Sequence, residues 1–407
     1  MDNKTIPFDN LKVETWLDEF GSPLYVYDEQ GIIATAQEIN KAFSWAKNYK
    51  NYFAVKATPT PKILKLLHEQ GMGFDCSSRA ELEMVSRIGV RGKDIFYTSN
   101  NTPKEDFERA IELEAIVNID DLTQVPVFLS VLNGRSYPYV AVRYNPGDKQ
   151  SGNEIIGEPL EAKYGMTLDQ VIDAMKMLNE ADIAEFGIHT MVASNETHEE
   201  YFGLTAKLVA ETIEQVHNKT HVRISFVNLG GGFGIPYDKN KSKLDINKLA
   251  QLVRKELPDP NLDIFTENGR FITGPHGYLL TKVRYVMKKY KNYIGVDASM
   301  HNLMRPGMYG AYHHITVLGK GDSGEYVYDI VGSLCENNDK FAINRSLPEV
   351  EVDDNIVIHD AGAHGHAMGF NYNGLLKSAE VLVRGNGETE LVRRAETVDD
   401  YFATIVW

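Results

Sequence analysis

Between about residues 25 and 274, short apolar runs alternate with longer amphipathic stretches. The runs at 52–57, 73–76, 95–97, 115–117, 139–144, 186–189, 225–229 and 263–266 have the length and the β-branched or aromatic content of buried strands. Between several of them lie helical patterns, at 61–70, 79–88, 103–113, 167–180 and 197–218. Strand and helix repeated in this order predict parallel strands joined by crossover helices. Eight such strands fit a (β/α)8 barrel of the TIM type; a doubly wound open sheet satisfies the same periodicity. Beyond about residue 275 the texture changes. Runs at 278–287, 326–331, 355–359 and 380–384 read as strands, turns fall at 319–324 and 385–387, and helical patterns are scarce. The chain is therefore read as an α/β barrel over 31–275, with a mostly β domain (sandwich or barrel) built from 1–30 and 276–407.

Composition narrows the function. A formal charge of −15 argues against nucleic acid or an anionic membrane as the main partner, since both require basic surface. Two cysteines, Cys76 and Cys335, make neither a disulfide framework nor a zinc pattern. The pairs His313-His314 and His364/His366 lack the zinc-helix spacing, so no metal site is read. The first residues show no basic segment followed by an apolar run, and no apolar stretch approaches the roughly 20 residues of a membrane helix. The expectation is a soluble, cytoplasmic protein acting on a small molecule.

Lys56 stands in the apolar run Tyr52-Phe53-Ala54-Val55-Lys56-Ala57. Burial lowers a lysine pKa, which an imine-forming lysine needs, and a barrel strand would place it at the C-terminal rim. A snorkelling lysine at a strand end gives the same pattern. Four glycines among Gly230-Gly231-Gly232-Phe233-Gly234 leave backbone N–H groups open to an anion; their spacing is neither the dinucleotide fingerprint nor a Walker loop. It suits a cofactor with one phosphate, or simply a tight turn. Glu267-Asn268-Gly269-Arg270 offers a carboxylate for a protonated ring nitrogen and an arginine for an anion, although Asn-Gly is also a common turn. Arg305 with Tyr309, Cys335-Glu336, and Asn371-Tyr372-Asn373 are polar clusters that mean little one by one.

Taken in order, these segments resemble the diaminopimelate decarboxylase family, from about Gly21 to the C-terminus. The resemblance rests on Tyr-Phe-Ala-Val-Lys-Ala at Lys56, Gly73-Phe-Asp-Cys-Ser-Ser78, Leu229-Gly-Gly-Gly-Phe-Gly-Ile-Pro-Tyr237, Glu267 with Gly269-Arg270, Arg305-Pro306 with Tyr309, Cys335-Glu336 with Asp339, and Asn371-Tyr-Asn373. It implies an alanine-racemase-like barrel with a C-terminal β domain, and pyridoxal 5'-phosphate in Schiff-base linkage to Lys56. Glu267 would keep the ring nitrogen protonated. Ser194, Gly230, Gly231, Gly232, Gly269 and the Tyr372 hydroxyl would serve the cofactor. Arg305 and Tyr309 would hold a distal substrate carboxylate, and Glu336 the distal ammonium. Arg270 would serve phosphate or substrate. Cys335, the implied proton donor, and Glu336 would come from the partner subunit of a homodimer.

The chain departs from that pattern at its cofactor face. The family's His-x-His-x-Gly-Ser is here His189-Thr190-Met191-Val192-Ala193-Ser194, so Met191 takes the place of the histidine that stacks on the cofactor ring. A thioether contacts an aromatic face but donates no proton. Ala193 replaces a glycine, Asn268 a proline, and His364 an aromatic residue. The expected reaction is decarboxylation of meso-diaminopimelate to L-lysine. The alternatives are a decarboxylase of ornithine, lysine or arginine, and an amino-acid racemase of the same barrel type.

Overall fold

In the computed structural model, which describes residues 4–152, 157–238 and 240–407, the chain divides into two compact units. One takes the chain up to Ile32, then Pro236–Ser242, then everything from Ile272; the other comprises Ile33–Ile235 and Lys243–Phe271.

The strand β1 (Leu24–Asp28) belongs to the first unit. The next eight strands form the second unit's closed parallel barrel. They are β2 (Lys50–Ala54), β3 (Gly73–Cys76), β4 (Ile95–Thr98), β5 (Ile116–Ile119), β6 (Tyr137–Arg143), β7 (Ile183–His189), β8 (Ile224–Asn228) and β9 (Asp263–Thr266). Closure is made by β2 on β9, in the register Lys50↔Phe265 and Asn51↔Thr266. The open-sheet alternative is thereby ruled out.

Local chemistry sets the connecting helices. Ser78 caps Arg79–Arg87 by accepting the Glu81 N–H, Thr167 and Gln170 form a reciprocal capping box on Leu168–Asn179, and Asp245 caps Ile246–Glu256. Inside the barrel, Tyr52, Phe96, Ile116, Ala141, Phe226 and Phe265 pack as one apolar layer. Each such buried aromatic contributes about 1.5–3 kcal/mol relative to exposure. Gly187 on β7 belongs with that layer, because the Phe226 ring occupies the place of its missing Cβ (2.0 Å).

The first unit carries a nine-stranded sheet. Besides β1 it contains β10 (Gly277–Lys288), β11 (Asn292–Val296), β12 (Ile315–Val317), β13 (Tyr326–Val331), β14 (Lys340–Leu347), β15 (Asn355–Ile358), β16 (Ala379–Val383) and β17 (Thr389–Arg393). The main path runs β14-β13-β11-β10-β1-β16-β17, and β15 joins β10 to β12. Pairing is mixed: β1 is antiparallel to β10 and parallel to β16. The helix Asn10–Phe20 lays Val13, Trp16 and Leu17 into the same core as Leu24, Val26, Val357 and Val381. Among the described residues no helix is long and apolar enough to cross a membrane.

Candidate active site

The polar residues of the barrel collect where its strands end, the face on which barrel enzymes place their chemistry. Lys56 is the first correction. It is not part of a strand: β2 stops at Ala54, and the chain turns through a 3-10 turn over Val55–Ala57. The Lys56 side chain is 55% exposed, and its Nζ lies 3.4 Å from Oδ2 of Asp75, the buried carboxylate of β3. The expected depression of its pKa is reversed, because the Asp75 charge raises it more than burial lowers it. Burial, with Glu267 nearby, pushes the Asp75 carboxyl up to about 7, and its Oδ1 has no hydrogen-bond partner among the described residues. With Lys56 raised above its ordinary value and Asp75 at about 7, the proton rests on Lys56 Nζ, beside a carboxylate that is costly to keep charged.

Glu267, just beyond β9, is 8% exposed. Asn228 donates from Nδ2 to its Oε1 at 2.8 Å, and His189 Nε2 lies 3.1 Å from its Oε2. Burial works to raise the Glu267 pKa, but His189, Lys56 and Arg143 outweigh it and hold the carboxyl below the usual range. Asn228 also orders the glycine loop, since its Oδ1 accepts the Gly230 N–H at 2.9 Å. One amide thus ties the acid to the loop.

The loop itself has no room for side chains. A Cβ would lie 2.4 Å from Thr190 O at Gly230, 2.5 Å from Glu267 O at Gly231 and 2.5 Å from Ala193 O at Gly232; φ is +69° at Gly230 and +97° at Gly232. Met191 reaches over this loop, and its Sδ accepts the Gly231 N–H at 3.1 Å. The Asn268 departure also has a use: its N–H donates to Asn51 Oδ1 at 2.9 Å, and its Oδ1 accepts the Phe233 N–H at 3.1 Å. A proline would lose both bonds. Arg270 donates from Nη2 to Ser194 Oγ at 3.4 Å, so these two predicted residues meet. A cavity beside Met191 is lined by Arg143, Tyr144, Pro159, Ala162 and Tyr164. Arg143 pairs with buried Asp120 at 3.0 Å beneath the Tyr164 ring.

The other predicted residues belong to the first unit. Arg305 opens the short helix Arg305–Tyr309 and is buried; Tyr309 is exposed. Because His313 Nδ1 faces the His359 carbonyl at 2.8 Å, it carries the hydrogen, and Nε2 accepts from Arg305 Nη1 at 2.9 Å. Tyr237 stacks on the guanidinium at 4.5 Å. Asp339 shapes the turn that presents Cys335 and Glu336 by accepting the Leu334 and Met300 N–H groups. The Cys335 N–H donates to Asn373 Oδ1 at 3.0 Å, and Glu336 lies beside the Tyr372 hydroxyl, whose pKa its charge raises. Tyr372 is thus grouped with Cys335 and Glu336 in one corner of its own unit.

Sequence reasoning gave no role to Asp75, His189 or Asn228. The signal that singled out Lys56, a charged or polar group in an apolar run, was present at Phe74-Asp75-Cys76 and at Phe186–Asn228 strand ends alike.

Comparison with known proteins agrees with this geometry. Residues 29–274 match the family described as pyridoxal-dependent decarboxylase, pyridoxal binding domain. Protein TabA of Pseudomonas amygdali pv. tabaci is 38% identical over 95% of this chain and 92% of its own length. The diaminopimelate decarboxylase of Methanothermobacter thermautotrophicus is 32% identical over 94% of this chain and 91% of its own. The crystal structure of the M. jannaschii diaminopimelate decarboxylase with L-lysine superposes with a TM-score of 0.90 at 30% identity, covering 97% of this chain and 94% of that one.

Proposed function

This chain belongs to the pyridoxal-dependent decarboxylases of the diaminopimelate decarboxylase type, and on that premise we propose that it converts meso-diaminopimelate to L-lysine with pyridoxal 5'-phosphate carried on Lys56. It is an amino-acid decarboxylase; the particular substrate and the residue roles are our reading. The barrel residues fit the cofactor on three counts. The loop Gly230–Gly232 excludes every Cβ, and among the described residues its Gly231 N–H is engaged only by a weak thioether acceptor, so a phosphate oxygen is a better partner. Ser194 and Arg270 add a hydroxyl and a guanidinium. Glu267, held ionised by two donors, is suited to accept a hydrogen bond from a protonated ring nitrogen.

When bound, the cofactor supplies an electron sink for the pair left on the α-carbon as carbon dioxide departs. The chain's own residues do the rest. Asp75, 3.4 Å from Lys56 Nζ, is the group placed to receive the proton held there when the amine is to react. Glu267 keeps the ring nitrogen protonated. Cys335 delivers a proton from Sγ to the α-carbon once carbon dioxide has left. Arg305 binds the distal carboxylate with Tyr309, and Glu336 binds the distal ammonium.

The observation that carries the substrate assignment is Arg305, a buried cation whose orientation is fixed by neutral His313 and by the Tyr237 ring. Orienting an arginine in this way suits a carboxylate, and ornithine, lysine and arginine have no second carboxylate to offer. Carbon dioxide release measured across diaminopimelate, ornithine, lysine and arginine is expected to favour diaminopimelate. Arg305→Gln is expected to raise KM for diaminopimelate about 100-fold with a smaller change in kcat. Faster turnover of any of the other three, or racemisation without carbon dioxide, overturns the assignment.

A homodimer with shared sites is part of the reading, supported by the exposed position of Cys335 and Glu336 on their turn. Inactive Lys56→Ala and inactive Cys335→Ala proteins are expected to regain partial activity when mixed and allowed to exchange subunits. Silence despite demonstrated exchange excludes a site shared in this way.

A further inference from the structure

We propose that His189 is a positioning residue that holds Glu267 in its ionised, hydrogen-bond-accepting form, and so sets the protonation of the cofactor's ring nitrogen. The proposal rests on the cofactor reading above, and it assigns a role to a residue outside the predicted set.

His189 ends β7, is 1% exposed and points across the barrel, where its ring meets Phe96 of β4 at 5.8 Å. Its Nε2 faces the Glu267 carboxylate, so the hydrogen resides there; its Nδ1 is buried with no hydrogen-bond partner among the described residues. Asn228 cannot be turned around, since its Oδ1 is committed to the Gly230 N–H. Glu267 therefore meets one donor at each oxygen. A proton on either oxygen would confront an N–H, and the pocket selects the carboxylate.

The charged groups around this acid are otherwise paired. Lys56, after β2, is beside Asp75 of β3, and Arg143, ending β6, is bonded to Asp120, just after β5. Both cations act on Glu267 from a distance, whereas His189 touches it. Two residues on, Met191 supplies no alternative: a thioether holds no proton, and its sulfur is already engaged by Gly231. Without the His189 donor, Asn228, Lys56 and Arg143 remain, but the largest counterweight to burial is gone and the acid shifts toward the protonated form, which donates instead of accepting.

The test compares holoenzyme carrying His189→Leu with holoenzyme carrying His189→Gln, whose amide restores a donor. For the Leu variant we expect retained cofactor, a changed pH dependence of the cofactor's visible absorption, kcat lower by about 100-fold and KM within about threefold. The Gln variant is expected to recover kcat to within about tenfold of the parent. A Leu variant with the parent's spectrum and rate overturns the proposal, as does equal impairment of both variants with loss of bound cofactor, which would mark a purely architectural role. Nitrogen NMR of histidine-labelled parent holoenzyme needs no variant: a protonated Nε2 is expected, and a bare Nε2 overturns the proposal. Absence of lysine-bound cofactor in the parent protein itself would instead strike the cofactor reading.

Discussion

Lys56→Ala is expected to abolish covalent cofactor attachment and to lower kcat by about 10³-fold or more, while leaving the protein folded. Reduction with borohydride followed by peptide mass analysis should tag Lys56 in the parent and nothing in the variant. The fold should survive because the partner left behind, Asp75, already has a pKa raised to about 7 and can take up a proton rather than stay charged in the barrel. The glycine loop, Ser194 and Arg270 are untouched, so the cofactor should still bind reversibly and be removed on dialysis. A tag on another lysine would overturn the assignment of Lys56.

Glu267→Gln is expected to cost about 10³-fold in kcat, for a geometric as well as an electrostatic reason. Both carboxylate oxygens now accept, one from Asn228 and one from His189. Glutamine has a single acceptor oxygen, which Asn228 would claim; its NH2 would face His189, which can accept it only by moving the hydrogen from Nε2 to Nδ1. The displaced hydrogen would then sit on buried Nδ1, where no acceptor among the described residues meets it. A loss of about 1–3 kcal/mol of stability should accompany the loss of rate, measured as a fall in melting temperature. Unchanged turnover in a normally folded variant would remove Glu267 from the proposed mechanism.

The barrel strands were legible because strands buried on both faces are nearly continuous apolar runs. Their closure was not, since pairing of Lys50 with Phe265 joins positions far apart in sequence that no local pattern connects. The helix Gln124–Leu132 hides behind Pro126 and an apolar run, Val127–Val131, that reads equally as a strand. By contrast, Ile246, Leu249, Ala250 and Val253 recur at helical spacing after a capping Asp245, a signal that was present and not used. In the site, Lys56 was found for a partly mistaken reason. The strand ends two residues before it, although the apolar run continues through Val55, and the turn that follows gives the side chain both its exposure and its contact with Asp75. Residues that act through a partner, such as His189 and Asn228, carry no motif of their own, because their role exists only once three strands are side by side.

Those three strands have one more consequence. Gly187, Phe226 and Phe265 each precede a member of the polar group by two residues, so His189, Asn228 and Glu267 stand directly above the barrel's apolar layer. That layer sets packed, largely apolar side chains beneath the acid. The hydrogen between His189 and Glu267 is then expected to exchange through the mouth, on the side where the cofactor would be held. Deuterium from solvent should enter this bond far more slowly in the loaded enzyme than in the stripped one, making the barrel floor a seal for a proton as well as a foundation for the fold.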